Sequence, residues 1–192
     1  MNTRVVENMG KYTGQVLEEI FSKDVIEKRV DELAKQISTE YAGKVPILIG
    51  VLNGSVFFLA DLAKRLDIDC EIDFIKVSSY HSGTQSSGTV RLLKDISCII
   101  TDRDVIIVED IIDSGLTARF LKHRILENQP ASVAFASLLF KPECLKLEFE
   151  AEYVGFEVAD RFLVGYGLDL DQKFRNLPSI WEIGRASCRE RV

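Results

Sequence analysis

Between positions 104 and 117 the chain reads Asp-Val-Ile-Ile-Val-Glu-Asp-Ile-Ile-Asp-Ser-Gly-Leu-Thr. Four consecutive β-branched apolar residues, Val105 to Val108, predict a strand buried on both faces. Glu109 and Asp110 stand at its carboxyl end, the edge at which open parallel sheets bind ligands. Asp113, Ser114, Gly115, Leu116 and Thr117 then lead into a helix. There, successive backbone N–H groups, two small residues and the Thr117 hydroxyl make a cradle for an anion. A pair of carboxylates can accept hydrogen bonds from two adjacent sugar hydroxyls, and the cradle beyond can hold a phosphate. Together they match a ribose 5-phosphate. Taken singly, each residue has an ordinary reading: polar strand ends for Glu109 and Asp110, a helix cap for Asp113. The run as a whole carries the chemistry.

Other chemistries find little support. Cys70, Cys98, Cys144 and Cys188 are too widely spaced for a CxxC pair, and His81 and His123 are the only histidines. Paired zinc knuckles and a thioredoxin-type site are therefore unsupported, a His-rich metal centre is excluded, and each cysteine reads as a free, mostly buried thiol. Any metal would be held by oxygen, which points to magnesium or calcium. Gly165-Tyr-Gly167 opens like a dinucleotide fingerprint, but Leu170 occupies the third glycine position. There is no Walker A pattern.

The elements that must position these residues follow from periodicity. Ser22 can cap a helix running to about Tyr41, with Ile26, Val30, Leu33 and Ile37 on one face and Gly43 ending it. Pro46 to Leu52 reads as a buried strand, Asn53-Gly54-Ser55 as a turn, and Val56 to Leu66 as a helix. Cys70, Ile72 and Phe74 alternate with acidic residues, as in a strand. Ser78 to Gly88 is a Ser-, Gly- and Thr-rich loop, and Val90 to Ile96 a strand returning from it. After a turn at Ile111 to Gly115, a helix extends toward Asn128; Ser132 to Phe140 and Tyr153 to Val158 are further strands. Strands alternating with helices predict an α/β fold with a mostly parallel sheet.

Composition agrees. The 192 residues, 46% hydrophobic and 28% charged, suit one globular domain. A net charge of −6 argues against general nucleic-acid binding. The longest apolar runs fall far short of the roughly 20 residues that span a bilayer. With no apolar leader at the N-terminus, a cytoplasmic location is expected. Residues 184–192, Gly-Arg-Ala-Ser-Cys-Arg-Glu-Arg-Val, match no pattern upstream and are expected to be foreign to a single domain spanning residues 1–183.

Val108-Glu-Asp-Ile-Ile-Asp-Ser-Gly-Leu-Thr117 resembles the phosphoribosyl-pyrophosphate (PRPP) motif of the type I phosphoribosyltransferases, in the branch acting on hypoxanthine and guanine. Three further blocks resemble the same family in the same order. They are Val51 to Leu62 (pyrophosphate loop), Ser79-Tyr80 (start of a mobile loop), and Ser132 to Lys141 with Val154 to Asp169 (purine half); Phe174-Arg-Asn-Leu177 closes the match. The resemblance implies a central sheet flanked by helices, with a small hood from the N-terminal segment and about residues 150–183. It also implies Mg²⁺-dependent transfer of phosphoribose from PRPP to N9 of hypoxanthine or guanine, with release of pyrophosphate, in a homodimer or homotetramer.

Roles follow from that resemblance. Glu109 and Asp110 would hold the ribose hydroxyls and anchor Mg²⁺, and Asp169 a second Mg²⁺. Asp113 would act at purine N7 as general base, with residues 113–117 on the 5-phosphate. Lys141 would donate to the 6-oxo group, Phe162 would stack on the base, and the backbone at Leu163 and Val164 would meet its edge. Leu52, Asn53, Gly54 and Arg175 would contact pyrophosphate, and Ser79 and Tyr80 would close over it. Two positions depart from the family: Asn53 stands where many members carry Lys, and Leu116 where some carry Lys or Arg. Two alternatives remain open. One is a phosphoribosyltransferase for adenine, xanthine or orotate. The other is a non-catalytic PRPP-sensing regulator of RNA or DNA, against which Asp113, Lys141 and the acidic charge weigh.

Overall fold

The computed structural model describes residues 2–7, 10–79, 90–146 and 149–183. In chain order the elements are β1 (Thr3–Val5), β2 (Val16–Phe21), α1 (Lys23–Glu40), β3 (Ile47–Leu52), α2 (Val56–Ala63), β4 (Glu71–Ser79) and β5 (Val90–Lys94). They continue with β6 (Asp104–Ile112), α3 (Leu116–Leu126), β7 (Ser132–Phe140), β8 (Tyr153–Glu157), β9 (Leu163–Val164) and β10 (Ile180–Ile183).

Six strands form the large sheet in the order β5-β4-β3-β6-β7-β8. All its pairings are parallel except that of β5, an antiparallel edge. The chain leaves β3 toward β4 on one side and resumes at β6 on the other, so the strand order reverses between β3 and β6. Such a reversal opens a crevice at the carboxyl ends of the two strands. Their apolar runs are continuous because helices cover both faces. Leu48, Ile106 and Val108 pack with Ile26, Val30, Leu33 and Ile37 of α1 and Phe58 and Leu62 of α2. Ile47, Ile49, Val105 and Ile107 pack on the other face with Ala118, Leu121 and Ile125 of α3. Truncating one of the Leu or Ile side chains among these to Ala would cost about 2–5 kcal/mol. Ser22 caps α1, its hydroxyl accepting from the Val25 N–H at 3.4 Å.

Several boundaries differ from the sequence reading. β6 runs on through Ile111 and Ile112, both paired with β7, so the turn shortens to residues 113–115. α2 stops at Ala63 rather than Leu66. Ile72 lies in β4 as the alternation predicts and is 49% exposed near the start of that strand. A second, antiparallel sheet in the order β1-β2-β10-β9 was not anticipated strand by strand. It draws on residues 3–21 and 163–183, whereas Tyr153–Glu157 belongs to the large sheet. Leu17 and Val164 from this sheet pack with Tyr12, Leu170, Phe174 and Leu177 in a core of their own. The expected loop contact Tyr80, most of that loop and the segment 184–192 lie outside the described residues.

Candidate active site

A cavity of about 680 Å³ opens at the carboxyl ends of β3 and β6. Leu52, Asn53 and Gly54 line it from β3, and Glu109 and Asp110 from β6. Asp113, Ser114, Gly115, Leu116 and Thr117 line it from the turn into α3, and Asp169 and Arg175 from the segment between β9 and β10. Three separate stretches of chain, 52–54, 109–117 and 169–175, thus converge.

Close backbone approach builds the acidic end. A Cβ on Gly54 would fall 1.7 Å from Asp110 Oδ2, so only glycine lets that carboxylate occupy its place. Gly167, at φ +102°, backs onto the same loop; its Cβ would lie 1.9 Å from the Gly54 carbonyl oxygen. Asp110 is thereby stacked on Gly54, and Gly54 on Gly167. The Leu52–Asn53 peptide entering this stack is cis.

Glu109 is buried, and its Oε1 has no hydrogen-bond partner. Burial first, and the Asp110 charge second, push its carboxyl up to about 8. Burial also raises Asp110, to about 6, with Asp169 adding to the rise; the Ile111 N–H, its own N–H and the Arg175 guanidinium oppose it. The Arg175 guanidinium thus offsets only part of the charge of the two acids. Among the described residues no group of three or more His, Cys, Asp or Glu could hold a metal ion by itself. The donor set nevertheless fits Mg²⁺, which commonly takes one or two carboxylates and completes its shell with substrate phosphates and water. Such a cation would compensate the Glu109 carboxylate, whose Oε1 has no partner.

The opposite end is an amide nest. Gly115 adopts the left-handed conformation at φ +75° at the start of α3. The first N–H groups of that helix have no intrahelical acceptors and carry the positive end of its dipole. Lys146 donates its backbone N–H to the Ser114 carbonyl at 3.1 Å and also lines the cavity.

Beyond the nest, Lys141 is buried. Its Nζ lies 3.4 Å from Asp113 Oδ2 and 3.2 Å from Asp160 Oδ1. Arg175 Nη2 lies 2.8 Å from Asp169 Oδ1, and its Nη1 donates to the Gly167 carbonyl at 2.7 Å. Asp169 Oδ2 accepts the Gln172 N–H at 2.7 Å.

Not every expected residue reaches this cavity. Lys141 touches it through Asp113 and Asp160 rather than by lining it. Phe162 is 41% exposed and apart from the lining. Leu163 and Val164 are buried in β9, paired with Glu182 and Trp181 of β10. Ser79 ends β4, and nothing of its side chain is described. Asp160, Cys144 and Lys146 line the cavity but were not singled out. No sequence signal marks Asp160, because nothing in the sequence shows that Lys141 is buried and needs a compensating carboxylate.

Comparisons with known proteins fall in line with this geometry. The family model of the phosphoribosyl transferase domain matches residues 16–171. The chain is 47% identical over 161 residues to the hypoxanthine-guanine phosphoribosyltransferase of Streptococcus mutans, covering 84% of this chain and 89% of that protein. The crystal structure of a hypoxanthine-guanine phosphoribosyltransferase from Bacillus anthracis superposes with a TM-score of 0.84 at 46% identity, covering 87% of this chain and 98% of that one. The hypoxanthine phosphoribosyl transferase of Trypanosoma cruzi superposes with a TM-score of 0.85 at 38% identity, covering 91% and 94%.

Proposed function

The chain belongs to the phosphoribosyltransferase family, and on that premise we propose that it is a purine salvage enzyme: it transfers phosphoribose from PRPP to N9 of hypoxanthine or guanine, yielding IMP or GMP and pyrophosphate. The observation that carries this reading is the placement of Glu109 and Asp110 and the nest at residues 113–117 around one cavity, with the Lys141 ammonium against Asp113.

In this reading the first turn of α3, with Ser114 and Thr117, takes the 5-phosphate. Glu109 and Asp110 accept the two ribose hydroxyls and, with Asp169, would hold Mg²⁺. The ion supplies charge neutralisation for the departing pyrophosphate. Arg175 and the loop Leu52–Gly54 bind pyrophosphate oxygens, with Ser79 and Tyr80 covering them. The bond from C1′ to pyrophosphate oxygen breaks as the bond to N9 forms, through an oxocarbenium-like state comparable to that of glycoside cleavage. Pyrophosphate leaves with the electron pair, and Asp113 takes the purine N7 proton. Lys141 donates to the 6-oxo group and so disfavours adenine, whose amino group is itself a donor. Phe162 stacks on the base, with the backbone of Leu163 and Val164 at its edge.

The reading includes a cytoplasmic homodimer or homotetramer. Cys70, Cys98 and Cys144 are free, as suits a reducing compartment. The test is pyrophosphate release from Mg²⁺-PRPP with hypoxanthine, guanine, xanthine and adenine in turn. Release with hypoxanthine and guanine, stopped by excess chelator, is expected. Release with adenine alone, or with none of the four, overturns the reading.

A further inference from the structure

The Lys141 side chain is only 7% exposed, yet its ammonium faces two carboxylates from different parts of the chain. Asp113 comes from the turn before α3 and Asp160 from the stretch between β8 and β9. Neither contact, at 3.4 and 3.2 Å, is a tight charge-assisted bond, so the ammonium is shared rather than clamped. Asp160 is available for this because the adjacent Arg161 is turned away to Glu182, at 2.7 Å. Both carboxylates line the cavity, and the reaction outlined above gives Asp160 no task.

We propose that Asp160 is a positioning residue that retains the Lys141 ammonium when Asp113 turns to the purine. This rests on the function proposed above. A buried ammonium holds its charge only beside an opposite one. With Asp113 as sole partner, base binding would face a conflict: Asp113 stays on Lys141 and misses N7, or leaves and strands a buried charge. A second carboxylate removes the conflict. The Lys141 ammonium stays aimed, and its other N–H donors are free for the 6-oxo oxygen. The Asp160 side chain is 78% exposed, so it follows the ammonium with little desolvation of its own. The same pairing makes Asp160 a determinant of 6-oxopurine preference through Lys141, with no contact to the base.

Asp160→Asn and Asp160→Glu test this, read by kinetics and by calorimetric titration with GMP and with ribose 5-phosphate. Asp160→Asn is expected to raise KM for hypoxanthine and guanine, and Kd for GMP, roughly fivefold or more. The KM for PRPP, kcat and ribose 5-phosphate affinity stay at wild-type levels, and Asp160→Glu restores base binding. Wild-type GMP affinity in Asp160→Asn, or an equal weakening of GMP and ribose 5-phosphate, overturns the inference alone. A wild-type chain that ignores GMP overturns the functional reading, and this inference with it.

Discussion

Replacing Gly54 with Ala separates function from folding, because of what the new methyl group would strike. The Cβ would sit 1.7 Å from Asp110 Oδ2, and contacts below 3.0 Å are essentially never observed. The carboxylate must therefore retreat by more than an ångström. It can do so by side-chain rotation, since the obstructing atom is the far end of a side chain rather than backbone. Stability should hold, with Tm close to wild type. Function should not, because Asp110 is the proposed seat of a ribose hydroxyl and of Mg²⁺. A misplacement of about 1 Å in such a site costs on the order of 10²-fold in rate, or about 2.7 kcal/mol of transition-state stabilisation. Gly167→Ala is the contrasting variant. Its Cβ would meet the Gly54 carbonyl oxygen at 1.9 Å from a backbone at φ +102°, and neither party can rotate away. That strain should cost about 1–3 kcal/mol, several degrees in Tm for a domain of this size. Thermal melts and kcat/KM for PRPP, measured side by side on the two variants, check the argument. A Gly54→Ala protein with wild-type kcat/KM for PRPP would refute the assignment of Asp110.

Asp113→Asn should lower kcat by roughly 10²–10⁴ as a lost general base while leaving PRPP binding nearly intact; an unchanged kcat removes that role. Lys141→Ala should weaken hypoxanthine and guanine, read as raised KM for both, and unchanged use of either base contradicts the specificity argument. Glu109 is raised from 4.5 to about 8 in the folded chain, so the folded state binds its proton more tightly than the unfolded one. Its contribution to stability is therefore greatest at low pH and declines as pH climbs from near 4.5 toward 8. Glu109→Gln should raise Tm by a few degrees at pH 8 and much less at pH 5, by scanning fluorimetry; equal shifts at the two pH values speak against a buried, uncompensated carboxylate.

The large sheet was legible because its signals are local. Ile47 to Leu52 and Val105 to Val108 are apolar on both faces, which only a covered strand requires, and the sequence 113–117 carries its own small residues for the nest. β1, β2, β9 and β10 were not legible, since short antiparallel strands owe their existence to partners far away. Val16 at the start of β2 is 54% exposed, which leaves Leu17 as the single fully buried residue in a weak alternation. The extension of β6 through Ile112 was hidden by the polar pair Glu109-Asp110, which reads as a strand end although pairing with β7 continues past it. The acidic half of the cavity could be read from residue types. Asp160 could not, because its significance depends on where the Lys141 ammonium is buried, a fact of three dimensions.

Strand β2 lies between β1 and β10, and its contact with β10 pairs Phe21 with Ile180 and Leu17 with Ile183. The strands from β3 to β8 belong to the large sheet and leave β2 to be covered on its second edge by β10. Asp169 and Arg175 lie within the stretch that brings β10 to it. Pairing of β10 with β2 and completion of the cavity by Asp169 and Arg175 thus depend on one segment, so loosening β10 from β2 should withdraw both residues from the acids and the nest.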